Sequence, residues 1–293
     1  MPNHFIAKPN TKRENQRFFL NTKEVFGIQD IVLNYQQNLI PLKFIGMGEP
    51  VIVPNGPIQG QCNVETSVVN ADDYLYLTGH TGFNGYLVKS RTENTENFAF
   101  VSGYLTNYNS SCSIGDIPTV GLSFVVFGNI GRLTASESAQ VSTQLTQINN
   151  GSSSFDHAIA GPGSITLNLN DFTTNRVLSY DLNVNVNRNA IYPLGTRIPS
   201  AVEINYPIEV ILGFDFAVNN YTPSNLYKSP LTPRVENVQL TLKNYKTNAT
   251  LLSYNFQELF LISESYRAST EGHSIVSATY RAYYGEPTSI NPA

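Results

Sequence analysis

The side chains that most often do chemistry are scattered along this sequence. The four histidines are far apart, and none lies at the spacing of a metal site or a catalytic triad: His4, His80, His157 and His273. The motifs HExxH, CxxC, GxxxxGK and GxSxG, which mark common hydrolase, zinc and phosphate sites, do not occur. We therefore predict no catalytic, metal-binding or cofactor-binding residues and a protein that is not an enzyme.

One stretch imitates a calcium-binding loop. Asp181, Asn183 and Asn185 have the alternation with which such a loop begins. The loop then needs glycine and, at its twelfth position, glutamate, whereas this chain has Val186 and Tyr192. Alternating polar residues on the solvent-facing side of a strand explain the pattern better.

The other polar candidates are weaker. The glycine-rich run Thr78–Gly82 does not lead from a strand into a helix, so we expect no phosphate cradle there. Asp72, Asp73 and Asp215 have no evident partner in the sequence. Four asparagines match the glycosylation pattern, which so asparagine-rich a chain matches by chance: Asn109, Asn150, Asn220 and Asn248.

The two cysteines, Cys62 and Cys112, lie in the first half of the chain. A disulfide between them is possible, but we favour two buried free thiols in a protein made in a reducing cytosol. The N-terminus lacks the apolar core of a secretory signal, and no apolar run is long enough to span a membrane. We therefore expect no membrane insertion.

Composition favours strands over helices. Charged residues make up only 14% of the chain, against a usual quarter or so, and asparagine, serine and threonine take their place. Aromatic residues make up 11%, and they suit pleated surfaces. The net charge of −4 provides no basic patch for specific binding of nucleic acid. We predict an all-β protein.

Strand-like alternation is clearest at Val177–Asn187 and recurs at Ile28–Tyr35. We predict further strands at the following segments: Phe18–Leu20, Leu39–Ile45, Gln59–Val69, Tyr74–Leu77, Gly85–Ser90, Asn97–Asn107, Val120–Phe127, Ser164–Leu169, Glu209–Val218, Val235–Asn244, Thr250–Ile262 and Ser274–Tyr284. Pro50, Pro54 and Pro57 predict an irregular connection between two of them.

The chain also resembles itself. Sliding it by 149 residues superposes Leu33 on Leu182 and Asn34 on Asn183, and Gly46 on Gly195. One residue of slippage later, Pro57 corresponds to Pro207. We interpret this as an internal duplication.

The duplication divides the chain into five parts. They are an N-terminal arm at 1–16, a β-sandwich or barrel unit at 17–133, a linker at 134–159, a second such unit at 160–285 and a C-terminal tail at 286–293. Within the linker, Ser136–Ile148 has the composition of one helix, ended by Asn149-Asn150-Gly151.

The order of these elements resembles the tail tube proteins of long-tailed bacteriophages and the related baseplate hub proteins. The resemblance lies in the alternating strand Ile28–Tyr35 running on to Gly46, in GDIPTVGLSFVVFGNIG at Gly115–Gly131, and in the repeat of this plan at Val177–Gly195 and Ser274–Gly285. That family has no catalytic residues to transfer.

The resemblance implies a structural virion protein, made in the host cytoplasm, whose copies form stacked rings around a DNA channel. Two units in each chain imply a trimeric ring with pseudo-sixfold symmetry, with a hexamer as the alternative. Ile28–Tyr35 and Val177–Asn187, with their hairpin partners, are then expected to line or flank the channel, and DNA is expected to pass through it without specific contacts. Other tail proteins are the expected partners. A tail-tip or hub component is the alternative within this class, and a glycan-binding adhesion module is the alternative outside it.

Overall fold

The structure is a computed structural model. It describes residues 16–21, 23–69, 74–79, 81–89, 97–134, 160–169, 172–218, 235–268 and 274–286. Its strands are β1 Gln16–Leu20, β2 Lys23–Val25, β3 Ile28–Leu42, β4 Val51–Ser67, β5 Phe83–Lys89, β6 Phe98–Ser113, β7 Thr119–Val126, β8 Ile130–Arg132, β9 Ala160–Leu169, β10 Phe172–Thr174, β11 Val177–Asn185, β12 Arg188–Ile191, β13 Ala201–Ile204, β14 Ile208–Ala217, β15 Val235–Asn244, β16 Thr250–Arg267 and β17 Ile275–Tyr284. One short 3-10 helix spans Tyr74–Thr78. The prediction of an all-β fold is confirmed.

Most strands belong to one continuous antiparallel sheet. Its longest path runs β10-β9-β15-β16-β17-β14-β11-β6-β5-β1-β2. β7 pairs with both β6 and β4, β3 pairs with β4, and β8 pairs with β6. β12 and β13 form a separate hairpin. Among the described strands, the sheet therefore joins the two halves of the chain through one strand pair, β6 with β11.

Both halves pair their strands in the same order. The first half runs β2-β1-β5-β6-β7-β4-β3, and the second runs β10-β9-β15-β16-β17-β14-β11. In the second half, the β12–β13 hairpin follows β11 and leads into β14. It occupies the place that the far ends of the long strands β3 and β4 occupy in the first half. The predicted duplication is therefore accompanied by a repeated topology.

The register of pairing repeats as well. In the first half, Leu33 pairs with Cys62, Cys62 with Phe124, and Phe124 with Leu105. In the second half the same row is Leu182, Leu212, Tyr280 and Leu261. Equivalent positions thus differ by 149 from β3 to β11 (182 − 33), by 150 from β4 to β14 (212 − 62) and by 156 from β6 and β7 to β16 and β17 (261 − 105 and 280 − 124).

Two irregularities fall at equivalent places. The register shifts directly after Leu105 in β6 and directly after Leu261 in β16. Three residues before each, Ser102 and Glu258 have positive φ angles of 58° and 56°. Such kinks allow one long strand to leave one layer of a sandwich and enter the other.

The core lies between these layers and continues across the two halves. In the first half, Phe83 of β5 packs edge-on against Phe124 of β7, with ring centroids 4.7 Å apart, although the two strands do not pair. In the second half, Phe172 of β10 packs against Phe216 of β14 with tilted rings whose centroids are 5.5 Å apart. The buried hydroxyls of Tyr108 and Tyr254 are 2.5 Å apart and join the halves. One hydrophobic cluster contains residues of both.

Two local predictions are wrong. Tyr74–Leu77, predicted as a strand, is the 3-10 helix, whose last carbonyls accept hydrogen bonds from Arg188, a residue of the other half. The proline-marked connection is strand, since β4 runs through Pro54 and Pro57. Pro57 is accommodated where the β3–β4 register shifts, between Gln36 and Asn38.

Several other predictions lie outside the described residues. These include almost all of the arm at 1–16, the linker with its helix at Ser136–Ile148, and most of the tail at 286–293. The division into units at 17–133 and 160–285 stays a prediction.

Candidate assembly interfaces

The two halves of the chain are joined along the edge of β11 that does not pair with β14. β11 pairs antiparallel with the end of β6, from Asn185 opposite Asn107 to Ser179 opposite Ser113. The amide of Asn107 donates to the side-chain oxygens of Asn183 at 3.2 Å and of Asn185 at 2.7 Å. Backbone pairing and hydrogen-bonded asparagines therefore hold the two halves of the chain edge to edge.

A half-buried arginine fastens the β12–β13 hairpin to the first half. The guanidinium of Arg188 donates to the carbonyl oxygens of Leu105 at 3.0 Å, Thr78 at 3.0 Å, Gly79 at 2.9 Å and Leu77 at 3.4 Å. Three of these carbonyls lie at the end of the 3-10 helix or directly after it, where intrahelical donors run out. Burial lowers the pKa of Arg188 to about 10, so the group stays charged at neutral pH.

The same hairpin also packs through apolar contacts. Val202 of β13 forms a small hydrophobic cluster with Val125 and Phe127 at the end of β7, bordered by Tyr104 of β6. The three cluster members are each less than 9% exposed. The hairpin thus lies on the neighbouring unit as a clamp beside the β6–β11 pair.

The equivalents of these paired edges are open in the described part of the chain. β3, the equivalent of β11, pairs with β4 on one side and with no described strand on the other. β16, the equivalent of β6, pairs with β15 only as far as Phe260 and continues to Arg267 along β17 alone. The chain therefore presents two different and complementary strand edges at its two ends.

Large side chains are exposed at these edges where their equivalents are buried. Tyr35 of β3 is 47% exposed, whereas its equivalent Val184 is fully buried. Tyr266 of β16 is 52% exposed, whereas its equivalent Ser110 is fully buried against β11. Exposed aromatic side chains along an open strand edge are typical of a surface that is covered in an assembly.

The outer face of the central strands is mostly polar and carries a depression of about 350 Å³. Four adjacent strands line it, with these polar residues among the lining: Asp30 of β3, Asn63 and Glu65 of β4, Thr119 and Ser123 of β7, and Asn107, Asn109 and Ser111 of β6. The register of pairing places three carboxylates on the same face of β11 and β14: Asp181, Glu209 and Asp215. It also places two guanidinium groups there, Arg267 of β16 and Arg281 of β17. Carboxylates outnumber guanidinium groups along these described strands.

The polar residues considered from the sequence have structural roles here. Asp181 accepts a long hydrogen bond of 3.5 Å from Asn109, so the sequence that imitates a calcium loop instead bridges two strands. Asp215 does have a partner, because it accepts a hydrogen bond of 2.7 Å from the hydroxyl of Ser179. Cys62 and Cys112 are buried and are not joined in a disulfide.

The remaining polar residues considered from the sequence either lie outside the described residues or take no part in these contacts. All four histidines, Asp72, Asp73, Asn150 and Asn220 are outside. Asn248 lies in an exposed turn. Within the described ranges, no three His, Cys, Asp or Glu side chains come together as a metal site. No helix in that part of the chain is long and apolar enough to cross a membrane.

Arg188 and the edge tyrosines were not singled out from the sequence. Nothing in the local pattern around Arg188 predicts that its guanidinium binds carbonyls more than 80 residues away. Tyr35 and Tyr266 lie in predicted or adjoining strand segments, and only the repeated register shows that their surroundings are incomplete.

No protein-family model and no curated protein matches this chain. Among solved structures, it resembles Hcp1 from Flavobacterium johnsoniae, at 12% identity and a TM-score of 0.25, over 42% of this chain and 95% of that one. It also resembles a chain of the anti-feeding prophage baseplate, solved with sixfold symmetry, at 14% identity and a TM-score of 0.25, over 41% of this chain and 86% of that one. The assignment of function therefore depends on the strand edges of this chain.

Proposed function

We propose that this chain is a non-enzymatic structural subunit of a bacteriophage tail tube, whose copies join edge to edge into rings. The observation that carries the proposal is the pair of open edges. The β3 edge of one copy has the same place in its unit as the β11 edge, which pairs with β6 inside the chain. The β16 edge of the next copy is the equivalent of that β6 edge, so the internal junction can be repeated between chains.

Repeating one junction gives a closed ring or an open helix, because the two edges are different surfaces. Such a head-to-tail contact closes when the rotation between units divides a full turn. Each chain supplies two units, so a ring of six units contains three chains. The proposal is accordingly a trimer with pseudo-sixfold symmetry, with six chains as the alternative.

The polar face with this depression is the side that we assign to the channel. Turning it towards the ring axis directs Asp30, Glu65 and Asp181 towards the centre. Double-stranded DNA is held by lysine and arginine that displace its counterions. A lining of carboxylates, asparagines and serines therefore suits DNA that passes through without binding.

In a tail, rings must also stack. The segments 1–16 and 286–293 are the candidates for ring-to-ring contacts, and other tail proteins are the partners at the ends of the stack. The location in the virion, after synthesis in the host cytoplasm, belongs to the same proposal. A tail-tip or hub ring uses the same edges and is the alternative.

Cross-linking tests the edge pairing directly. Inside the chain, Asn183 of β11 lies directly opposite Asn109 of β6. The equivalent residues are Asn34 of β3 and Ser265 of β16 (183 − 149 and 109 + 156), and we expect these to lie opposite each other between neighbouring chains. The double variant Asn34→Cys/Ser265→Cys is expected to form disulfides between chains, since directly opposed residues have Cα atoms about 4.5–5.5 Å apart. Non-reducing electrophoresis should show chains linked into closed trimers.

A matched control keeps one cysteine and moves the other by one strand. Ser277 pairs with Ser265 on β17, one strand further from the edge. Because neighbouring strands are about 4.8 Å apart, Asn34→Cys/Ser277→Cys is too distant to bridge. Equal cross-linking of the two double variants, or none in either, contradicts the proposal.

A further inference from the structure

The outer half of the β3–β4 hairpin, Leu39 to Pro54, carries many exposed apolar side chains. It is the equivalent of the β12–β13 hairpin: Pro41 opposite Ile52 corresponds to Ala190 opposite Val202 (41 + 149 and 52 + 150). Ile52 is 62% exposed, whereas Val202 is only 8% exposed because it packs on the first half. Ile52 therefore has the position of the packed Val202, but no described residue covers it.

The matching surface lies at the other end of the chain. The cluster around Val202 contains Phe127 and is bordered by Tyr104. The equivalent residues in the second half are Tyr283 for Phe127 and Phe260 for Tyr104 (127 + 156 and 104 + 156). Phe260 is 40% exposed and Tyr283 is 52% exposed, whereas Phe127 is 4% exposed. Both aromatic side chains lie beside the open edge of β16.

We infer that the Leu39–Pro54 hairpin of one copy docks on the Phe260 and Tyr283 surface of the next copy. This inference rests on the proposed ring, because the β3–β16 pair places the hairpin over that surface. The occupant is a second copy of this chain. The template is the internal contact, which combines the same strand pair with the same hairpin.

The contact between chains differs chemically from the contact inside the chain. Leu39 stands at the position of Arg188, so the half-buried guanidinium with its four carbonyl bonds is replaced by an apolar side chain. Arg281 stands at the position of Val125 and forms an ion pair with Glu209 at 3.2 Å. The docking between chains is therefore an aliphatic-on-aromatic contact with a charged rim.

The test compares two carboxylates on opposite faces of one hairpin. Ile52→Asp places a charge on the docking face. Val53→Asp places it on the other face, where the equivalent residue of the second half is the exposed Glu203. Both sites are exposed, so both variants should melt as the unmodified chain does. Ile52→Asp is expected to raise the concentration for half-assembly at least 100-fold, and Val53→Asp less than threefold.

A second pair of variants makes the test independent of assembly strength. Ile52→Cys/Tyr283→Cys should cross-link neighbouring chains, whereas Val53→Cys/Tyr283→Cys should not. If Ile52→Asp assembles normally, or if neither cysteine pair reacts, while Asn34→Cys/Ser265→Cys still forms trimers, the docking is wrong and the ring stands. If the Asn34→Cys/Ser265→Cys pair also fails, the ring proposal itself is overturned.

Discussion

Replacing Arg188 by methionine tests whether the hairpin is held on the first half as described. The substitution keeps an unbranched side chain that reaches as far as the Nε position and removes all of the donors. Three of the four hydrogen bonds are 3.0 Å or shorter, and a hydrogen bond from a charged group contributes about 1.5–3 kcal/mol. Against this gain, lowering the pKa to about 10 corresponds to a cost of about 3 kcal/mol for burying the cation, at about 1.4 kcal/mol per pH unit.

The balance predicts a loss of about 3 kcal/mol in the free energy of unfolding. Urea unfolding followed by circular dichroism measures it, since the chain has no tryptophan. Arg197→Met is the matched control, because Arg197 lies beyond β12 in the same hairpin connection and its side chain makes a single bond of 3.2 Å to the carbonyl of Gly56. That variant removes one longer hydrogen bond instead of four and should lose at most about 1.5 kcal/mol. Equal losses in the two variants, or under 1 kcal/mol for Arg188→Met, refute the reasoning.

Three further predictions follow from other parts of the molecule. Burial raises the pKa values of Cys62 and Tyr284 to about 12. The unfolded groups ionise first, so stability should fall above about pH 9, by up to about 1.4 kcal/mol per pH unit for Cys62 and, from about pH 10, by less for the more exposed and solvent-screened Tyr284. Cys62→Ala should flatten that slope, and an unchanged slope contradicts the assignment. Gly85→Ala should cost about 3 kcal/mol, because the added Cβ would clash with the Phe100 ring. Gly121→Ala, whose added Cβ would have its nearest atom at 3.9 Å, should cost less than half of that in the same urea assay. Deleting residues 2–16 should leave rings intact and shorten stacks in electron micrographs; stacks of unchanged length exclude the arm as a ring-to-ring contact.

The sequence was most informative where alternation was undisturbed. The pattern at Val177–Asn187 placed β11 correctly, and Tyr180, Leu182 and Val184 are buried as the two-residue period requires. The offset of 149 was visible as far as β4. Beyond that point the spacing between equivalent residues grows to 156, as from Phe124 to Tyr280, so a fixed offset no longer aligns the halves.

The features that could not be predicted from the sequence depend on contacts between residues far apart in the chain. Tyr74–Leu77 has a strand-forming composition, yet Arg188 of the other half binds the carbonyls that end it as a 3-10 helix. The asparagines of β6 and β11 have the composition of a solvent-exposed face, and only the fold shows that they bond to one another across the junction. The open edges became recognisable once each could be compared with its paired equivalent.

Electron microscopy of the purified chain, with its mass measured in solution, is the most direct test of assembly by repetition of the internal junction. Rings of three chains are expected, with six similar units around a central channel and density that continues from β3 of one chain to β16 of the next. A monomer at micromolar concentration, or an oligomer in which β3 and β16 remain apart, contradicts the account.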